Sequence, residues 1–144
     1  MKKNRALFEQ RVAQGRIKDC HGDLHLQHIC VEGEHIYIFD CIEFNERFRF
    51  GDVASDVAFL AMDLDFNGYP DLGRIFVEAY AAAAADLTLS EVLPFYKVYR
   101  AYVRAKVTSF LLDDAQLDKK AKEEVLQQAK RYYDLAYRYV TGNT

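Results

Sequence analysis

The chain has 144 residues, 51% of them hydrophobic and 14% aromatic, with a formal net charge of -3. That composition predicts one folded domain over 1–144 and excludes a disordered chain. The slightly acidic balance leaves no basic footprint for nucleic acid. No apolar run reaches membrane-spanning length, and Met1 to Arg5 are not followed by the apolar core of a signal peptide, which predicts a cytoplasmic protein. Cys20, Cys30 and Cys41 are an odd count with no CxxC pair, so buried reduced thiols are expected rather than a disulfide framework.

Residues 4–14 place Leu7, Phe8, Arg11 and Val12 at helical spacing, with Gly15 as the C-cap. A short extended run, Ile17 to Cys20, follows. Gly22 permits a tight backbone path, so His21-Gly22-Asp23 reads as a loop. The alternating segments from His28 to Glu32 and from His35 to Phe39 flank Gly33, the pattern of a β-hairpin. Asp40 lies just past the second strand. A hairpin holds its ends side by side, so residues near 23–28 are expected beside residue 40. Two carboxylates facing one gap repel each other unless a cation or a proton lies between them. An Mg²⁺ site or a shifted pKa is therefore expected there.

The segment from Ile42 to Phe50 reads as an irregular loop. Glu43, three residues past Asp40, is a candidate metal or substrate carboxylate, and Arg47 and Arg49 are candidates to pair with a phosphate or with Asp52. Asp52 is placed to cap a helix running through Ala61, with Asp56 in its first turn. After the break at Asn67 to Pro70, Asp71 is the expected cap of a helix from Leu72 to Ala84 whose alanine run, 81–85, suits close packing. Ser90 is the expected cap of a long helix to about Leu112, with Phe95, Val98, Tyr99, Tyr102, Val103, Val107 and Phe110 at core spacing. Arg100 and Arg104, with Lys97, form a basic ridge that would steer an acidic or phosphorylated substrate if it faced the loop carboxylates. A last helix runs from Lys119 to about Val140, with Val125, Leu126, Ala129, Tyr132, Tyr133, Leu135 and Ala136 inward.

The spacing His21-x-Asp23-x-x-x-x-His28, followed by a hairpin and Asp40, resembles the catalytic loop and metal-binding Asp of the protein-kinase-like fold. The HGDLH wording and the later Gly51-Asp52-x-x-x-Asp56-x-Ala resemble the aminoglycoside phosphotransferase and choline kinase branch. The string from Phe39 to Phe66 is similar to the phosphotransferase-like domain of bacterial proteins that fuse it to a P-loop ATP-binding domain. The likeness spans about residues 15–110 and implies an α+β, mostly helical C-terminal lobe with a small β-hairpin carrying the catalytic loop. It further implies ATP and Mg²⁺ as cofactors and a small-molecule hydroxyl as acceptor. Carried over by position, Asp23 is the catalytic base and Asp40 a metal ligand. His21, Asp52 and Asp56 support the loop. His28 stands where the family carries a metal-binding Asn, a departure because Mg²⁺ prefers oxygen donors.

No phosphate-covering GxGxxG or GxxxxGK[ST] run occurs in the chain. The resemblance therefore describes a C-lobe without its nucleotide lobe, and self-association through the face that lobe would cover is expected. Two other readings stay open: a non-catalytic kinase-like binding or regulatory module, and a zinc-dependent hydrolase built on His21, Asp23, His25 and His28.

Overall fold

The computed structural model describes residues 5–142. The first helix was expected from residue 4, which lies outside that range. Helix α1 spans Arg5–Ala13, strand β1 Ile17–Asp19, β2 Ile29–Glu32, β3 His35–Ile38, helix α2 Glu46–Arg49, strand β4 Phe50–Asp52, and helices α3 Val53–Phe66, α4 Pro70–Ala83, α5 Leu89–Phe110 and α6 Lys119–Thr141. The molecule is a mostly helical α+β structure with two small antiparallel sheets, β1–β4 and β2–β3.

Helix α3 is the centre. Ten of its fourteen residues are buried, because its sequence is apolar on every side and it is flanked by α4, α5 and α6. Phe59 and Met62 pack with Ala101 and Ala105 of α5 and with Tyr132, Leu135 and Ala136 of α6. At the other end Ala54 and Val57 pack with Leu89 and Val92, and Leu7 and Phe8 of α1 close that cluster. Helix α4 comes near because Gly73 leaves room: a Cβ there would lie 3.3 Å from the Ala61 carbonyl oxygen.

Several side chains face otherwise than their spacing suggested. On α1, Val12 is exposed and Arg11 is the fully buried residue. On α5 the buried face is Val92, Ala101, Ala105 and Thr108, while Phe95, Tyr99, Tyr102, Val107 and Phe110 are about half exposed. The small residues face inward because α5 lies against both α3 and α6. Tyr133 of α6 is likewise exposed. In the alanine run, Ala82, Ala83 and Ala85 are exposed.

The caps differ too. Tyr69 precedes α4, with Pro70 at its first position and Asp71 in its first turn. Thr88 precedes α5. Asp52 does cap α3, accepting from the Ala54 amide at 2.9 Å.

The segment 42–50 is more regular than expected. Asn45 caps the single turn of α2 through the Arg47 amide, and β4 then returns to pair with β1, Ile17 opposite Asp52 and Asp19 opposite Phe50. The β2–β3 hairpin pairs Ile29 with Ile38 and Glu32 with His35. Almost all its side chains are exposed. The expected burial of the thiols fails for that reason at Cys30; Cys41, past the end of β3, is also exposed and Cys20 is half-buried, all three free. Burial and the nearby Asp56 push the Cys20 thiol up to about 11, so it stays protonated at neutral pH.

Candidate functional site

The site is the loop from Cys20 to His28 together with the chain after β3. Gly22 makes the turn possible. Its φ is +83°, and a Cβ there would meet the Phe48 carbonyl oxygen at 2.9 Å and Ile42 at 3.0 Å. Asp56 hangs this turn from α3. One carboxylate oxygen accepts from the His21 amide at 2.7 Å, the other from the Gly22 amide at 3.1 Å, and Arg100 balances the charge at 3.5 Å. Further along, buried Asp63 accepts from the Leu26 amide at 3.0 Å. Both acids are charge-assisted acceptors that fix a loop otherwise short of backbone partners.

The histidines tie this loop to the hairpin. A carbonyl only accepts, so His21 Nε2 donates to the Phe39 carbonyl at 2.8 Å, and its Nδ1 accepts from the Asp23 amide at 3.3 Å. By the same reasoning His28 Nδ1 donates to the Asp23 carbonyl at 2.9 Å. The Phe39 amide donates to the His28 carbonyl at 3.1 Å. These bonds bring the end of β3 against the loop, and Asp40 Oδ2 lies 3.2 Å from His28 Nε2. Asp40 holds this place in a left-handed conformation, φ +61°, unusual for a non-glycine residue.

Asp23 lies at the mouth. Its side chain is 40% exposed, with His25 Nε2 at 3.4 Å and His28 Nδ1 at 3.8 Å from Oδ2. The His25 imidazole at 3.4 Å holds its pKa below the usual carboxylate range, against the opposite pull of burial; His28 and Arg104 add to the lowering. Asp23 is therefore an ionised carboxylate facing an open cleft of about 520 Å³, which Asp40, Cys41, Ile42, Glu43 and Phe44 also line. Beside it, Phe44, Phe48, Phe50, Phe95, Tyr99 and Val107 line a wider, more apolar groove of about 700 Å³.

The structure thus gathers Asp23, His28, Asp40 and Glu43 about one cleft, with His21 and Asp56 behind. Of the other expected residues, Arg47, Asp52 and Arg100 line the apolar groove beside that cleft, and the rest lie elsewhere. Asp52 does not touch the loop; its oxygens accept from Arg11 at 2.6 and 2.7 Å. Arg49 pairs with Asp19. The basic ridge does not present itself to solvent. Arg100 is mostly buried, bonded to Ser55 and stacked 4.7 Å over the Phe59 ring. Desolvation lowers its pKa, against the pull of Asp56. Arg104 lies over the Tyr132 ring, and Lys97 pairs with Asp65.

One contributor, Asp63, was missed, and another, His25, was expected only as a zinc ligand. His25, buried between His28 and Phe59, orients Asp23; its signal was an i+2 imidazole beside the expected base. Asp63 was an acid inside an apolar helix, which calls for a buried donor.

Asp23, His25 and His28 offer donor atoms all within 4.8 Å of one another. His21 lies outside that set, turned to Phe39. Within it His28 Nδ1 already carries the proton given to the Asp23 carbonyl, so that nitrogen has no lone pair for a metal. For Mg²⁺, Asp40 supplies a suitable hard oxygen, but the donor nearest to it is an imidazole nitrogen, which Mg²⁺ accepts poorly. The donor set does not fit Mg²⁺ as well as an all-oxygen set would.

The sequence signature of the phosphotransferase enzyme family matches residues 2–99, about two-thirds of the chain, so the chain belongs to that family. It is also 45% identical over 102 residues to the uncharacterized proteins Rv2004c of Mycobacterium tuberculosis and Mb2027c of Mycobacterium bovis, an overlap of 70% of this chain and 20% of each relative. The chain spans about a fifth of the length of these curated relatives. No solved structure matches it significantly. No helix among the described residues is long and apolar enough to cross a membrane.

Proposed function

We propose that the chain is the C-terminal lobe of a protein-kinase-like phosphotransferase that moves the γ-phosphoryl group of ATP to a small-molecule hydroxyl. One observation carries this reading. Asp23 is kept ionised at the mouth of the cleft it shares with Asp40, on a loop suspended by Asp56. In the proposed step Asp23 accepts the proton of the acceptor hydroxyl as its oxygen bonds to the γ-phosphorus, and the bond to the ADP oxygen breaks. His25 fixes the carboxylate, and the apolar groove beside it would seat the carbon skeleton of the acceptor. Positioning carries most of the catalysis in such a transfer. ATP is proposed from the family. So is Mg²⁺, which would be carried on the nucleotide phosphates. The cytoplasm is the proposed compartment. The half-exposed aromatic face of α5 is where self-association or a nucleotide lobe would be sought.

The test is Asp23→Asn in a protein carrying this lobe together with its nucleotide-binding lobe. Transfer should fall by about 10²–10⁴-fold, the usual contribution of a positioned base, with the melting temperature unchanged. Full transfer in that variant would refute the proposal. A second reading, a binding module without catalysis, is favoured by the direct approach of His28 to Asp40. Calorimetry with Mg²⁺-ATP separates the two, since no heat from the two-lobe protein supports the module.

A further inference from the structure

We infer that His28 and Asp40 form the core of a site for a borderline divalent cation, of the Mn²⁺, Co²⁺ or Zn²⁺ class, in preference to Mg²⁺. This inference deepens the phosphotransferase reading and rests on it only for what the cleft does. The site itself is argued from geometry. Nδ1 of His28 gives its proton to the Asp23 carbonyl at 2.9 Å. In the neutral ring Nε2 then has no proton and presents a lone pair. Asp40 Oδ2, also an acceptor, lies 3.2 Å from that nitrogen. Two acceptors at this separation repel each other unless something positive lies between them. A cation about 2.1 Å from each atom would see them at an angle of roughly 100°, between the tetrahedral and octahedral values. A histidine whose second nitrogen is anchored on a backbone carbonyl is the usual form of a metal-bound imidazole.

The rival is a doubly protonated His28 in an ion pair with Asp40, and two features count against it. The Asp40 side chain is 74% exposed, and a pair so open to water contributes little. Yet Asp40 is held at φ +61°, a conformation with its own cost for a residue with a Cβ. A weak ion pair does not account for a strained backbone that keeps the carboxylate in place, whereas a cation does. Glu43, on the wall of the same cleft, is within the group that could complete the shell along with water. Oxygen-only preference excludes Mg²⁺ as the best occupant, and one imidazole with carboxylates suits the borderline metals.

The test uses the 144-residue chain and metal chlorides alone. Loss of the free Mn²⁺ electron-spin signal gives the affinity, Zn²⁺ and Mg²⁺ compete for the site, and spin-echo modulation reports any ¹⁴N ligand. One Mn²⁺ per chain is expected, with ¹⁴N coupling, displaced by Zn²⁺ and by Mg²⁺ only at about 100-fold higher concentration. His28→Phe should abolish the ¹⁴N coupling and weaken Mn²⁺ by at least about tenfold. Should that variant fail to fold, Asp40→Asn should weaken Mn²⁺ to a similar degree. The inference is overturned if Mg²⁺ competes on equal terms, if the variants bind as the parent does, or if the folded chain binds no Mn²⁺ or Zn²⁺. Transfer activity is not among these readouts. A chain that binds Mn²⁺ through His28 but supports no transfer would therefore sink only the functional proposal, and transfer without ¹⁴N coupling would sink only this one.

Discussion

Two polar clusters of the fold are built on contrary principles. The first is Arg11 with Asp52, Asp86 and Thr88. Every guanidinium hydrogen bond there is 2.6–2.9 Å, and all four residues are buried. The second is Asp23, His25, His28 and Asp40. Its contacts between side chains are 3.2–3.8 Å, its two acids are 40% and 74% exposed, and the buried Nδ1 of His25 has no partner among the described residues. The first cluster pins α1 and the start of α5 to α3. The second leaves donors and charges unmatched at the edge of a cleft. A satisfied buried network specifies structure, while an incomplete one beside a strained backbone marks a place for a ligand.

Breaking the closed cluster should have the largest effect on stability. Arg11→Met leaves buried Asp52 without its cation and Asp86 with only the longer contact to Arg16 at 3.8 Å, and should destabilise the chain by about 3–5 kcal/mol, read as a lower urea midpoint at unchanged slope. A loss below 1 kcal/mol would show that the contrast between the clusters is not energetic. Next comes the joint from which the open cluster hangs. Gly22→Ala puts a methyl 2.9 Å from the Phe48 carbonyl oxygen at φ +83° and should cost about 2–3 kcal/mol. Asp56→Ala frees the His21 and Gly22 amides and unbalances Arg100, at about 2 kcal/mol. Both should also disturb the Asp23 and His28 resonances in NMR spectra, which Arg11→Met should leave nearly in place.

The open cluster was much more legible in the sequence than the closed one. Gly22, the two alternating runs and Gly33 are all local signals, and together they bring Asp23, His28 and Asp40 to one edge. Arg11 looked like one more residue on a helix face because its partners lie 41 and 75 positions away. No local pattern joins them. The facing of α5 was illegible for another reason. Its apolar and aromatic residues surround the helix, so spacing alone offered two faces, and the larger side chains were the natural choice for the core. Contact with both α3 and α6 selected Ala101 and Ala105 instead. The thiols were misread because an apolar hairpin suggests burial, whereas this one stands away from the helices.

Acid should expose the closed cluster through a titration. Asp86 is buried, which by itself raises its pKa, but the Arg11 hydrogen bonds and charge outweigh that and hold it low. A carboxylate depressed in the folded state stabilises the fold above its unfolded pKa, about 3.9, and that contribution is lost as pH falls through the folded value. Thermal stability should thus be flat near neutrality and fall below about pH 4. In Asp86→Asn the acid limb should be shallower, and an identical limb would place the acid sensitivity elsewhere.

The smallest effect discriminates best between the clusters, because it has the opposite sign. Asp40→Gly removes a carboxylate that is three-quarters exposed and relieves a left-handed backbone. If strain at Asp40 is maintained for a ligand, the metal-free variant should be more stable than the parent by about 0.5–1 kcal/mol, while its Mn²⁺ affinity falls by at least about tenfold. The same substitution logic applied to Asp52 or Asp86 should destabilise, since those acids have a matched partner. A stabilised Asp40→Gly that no longer holds metal would show the exchange of stability for function at a single residue. A destabilised one would mean that the Asp40–His28 contact is itself structural, and the two clusters would then differ only in exposure.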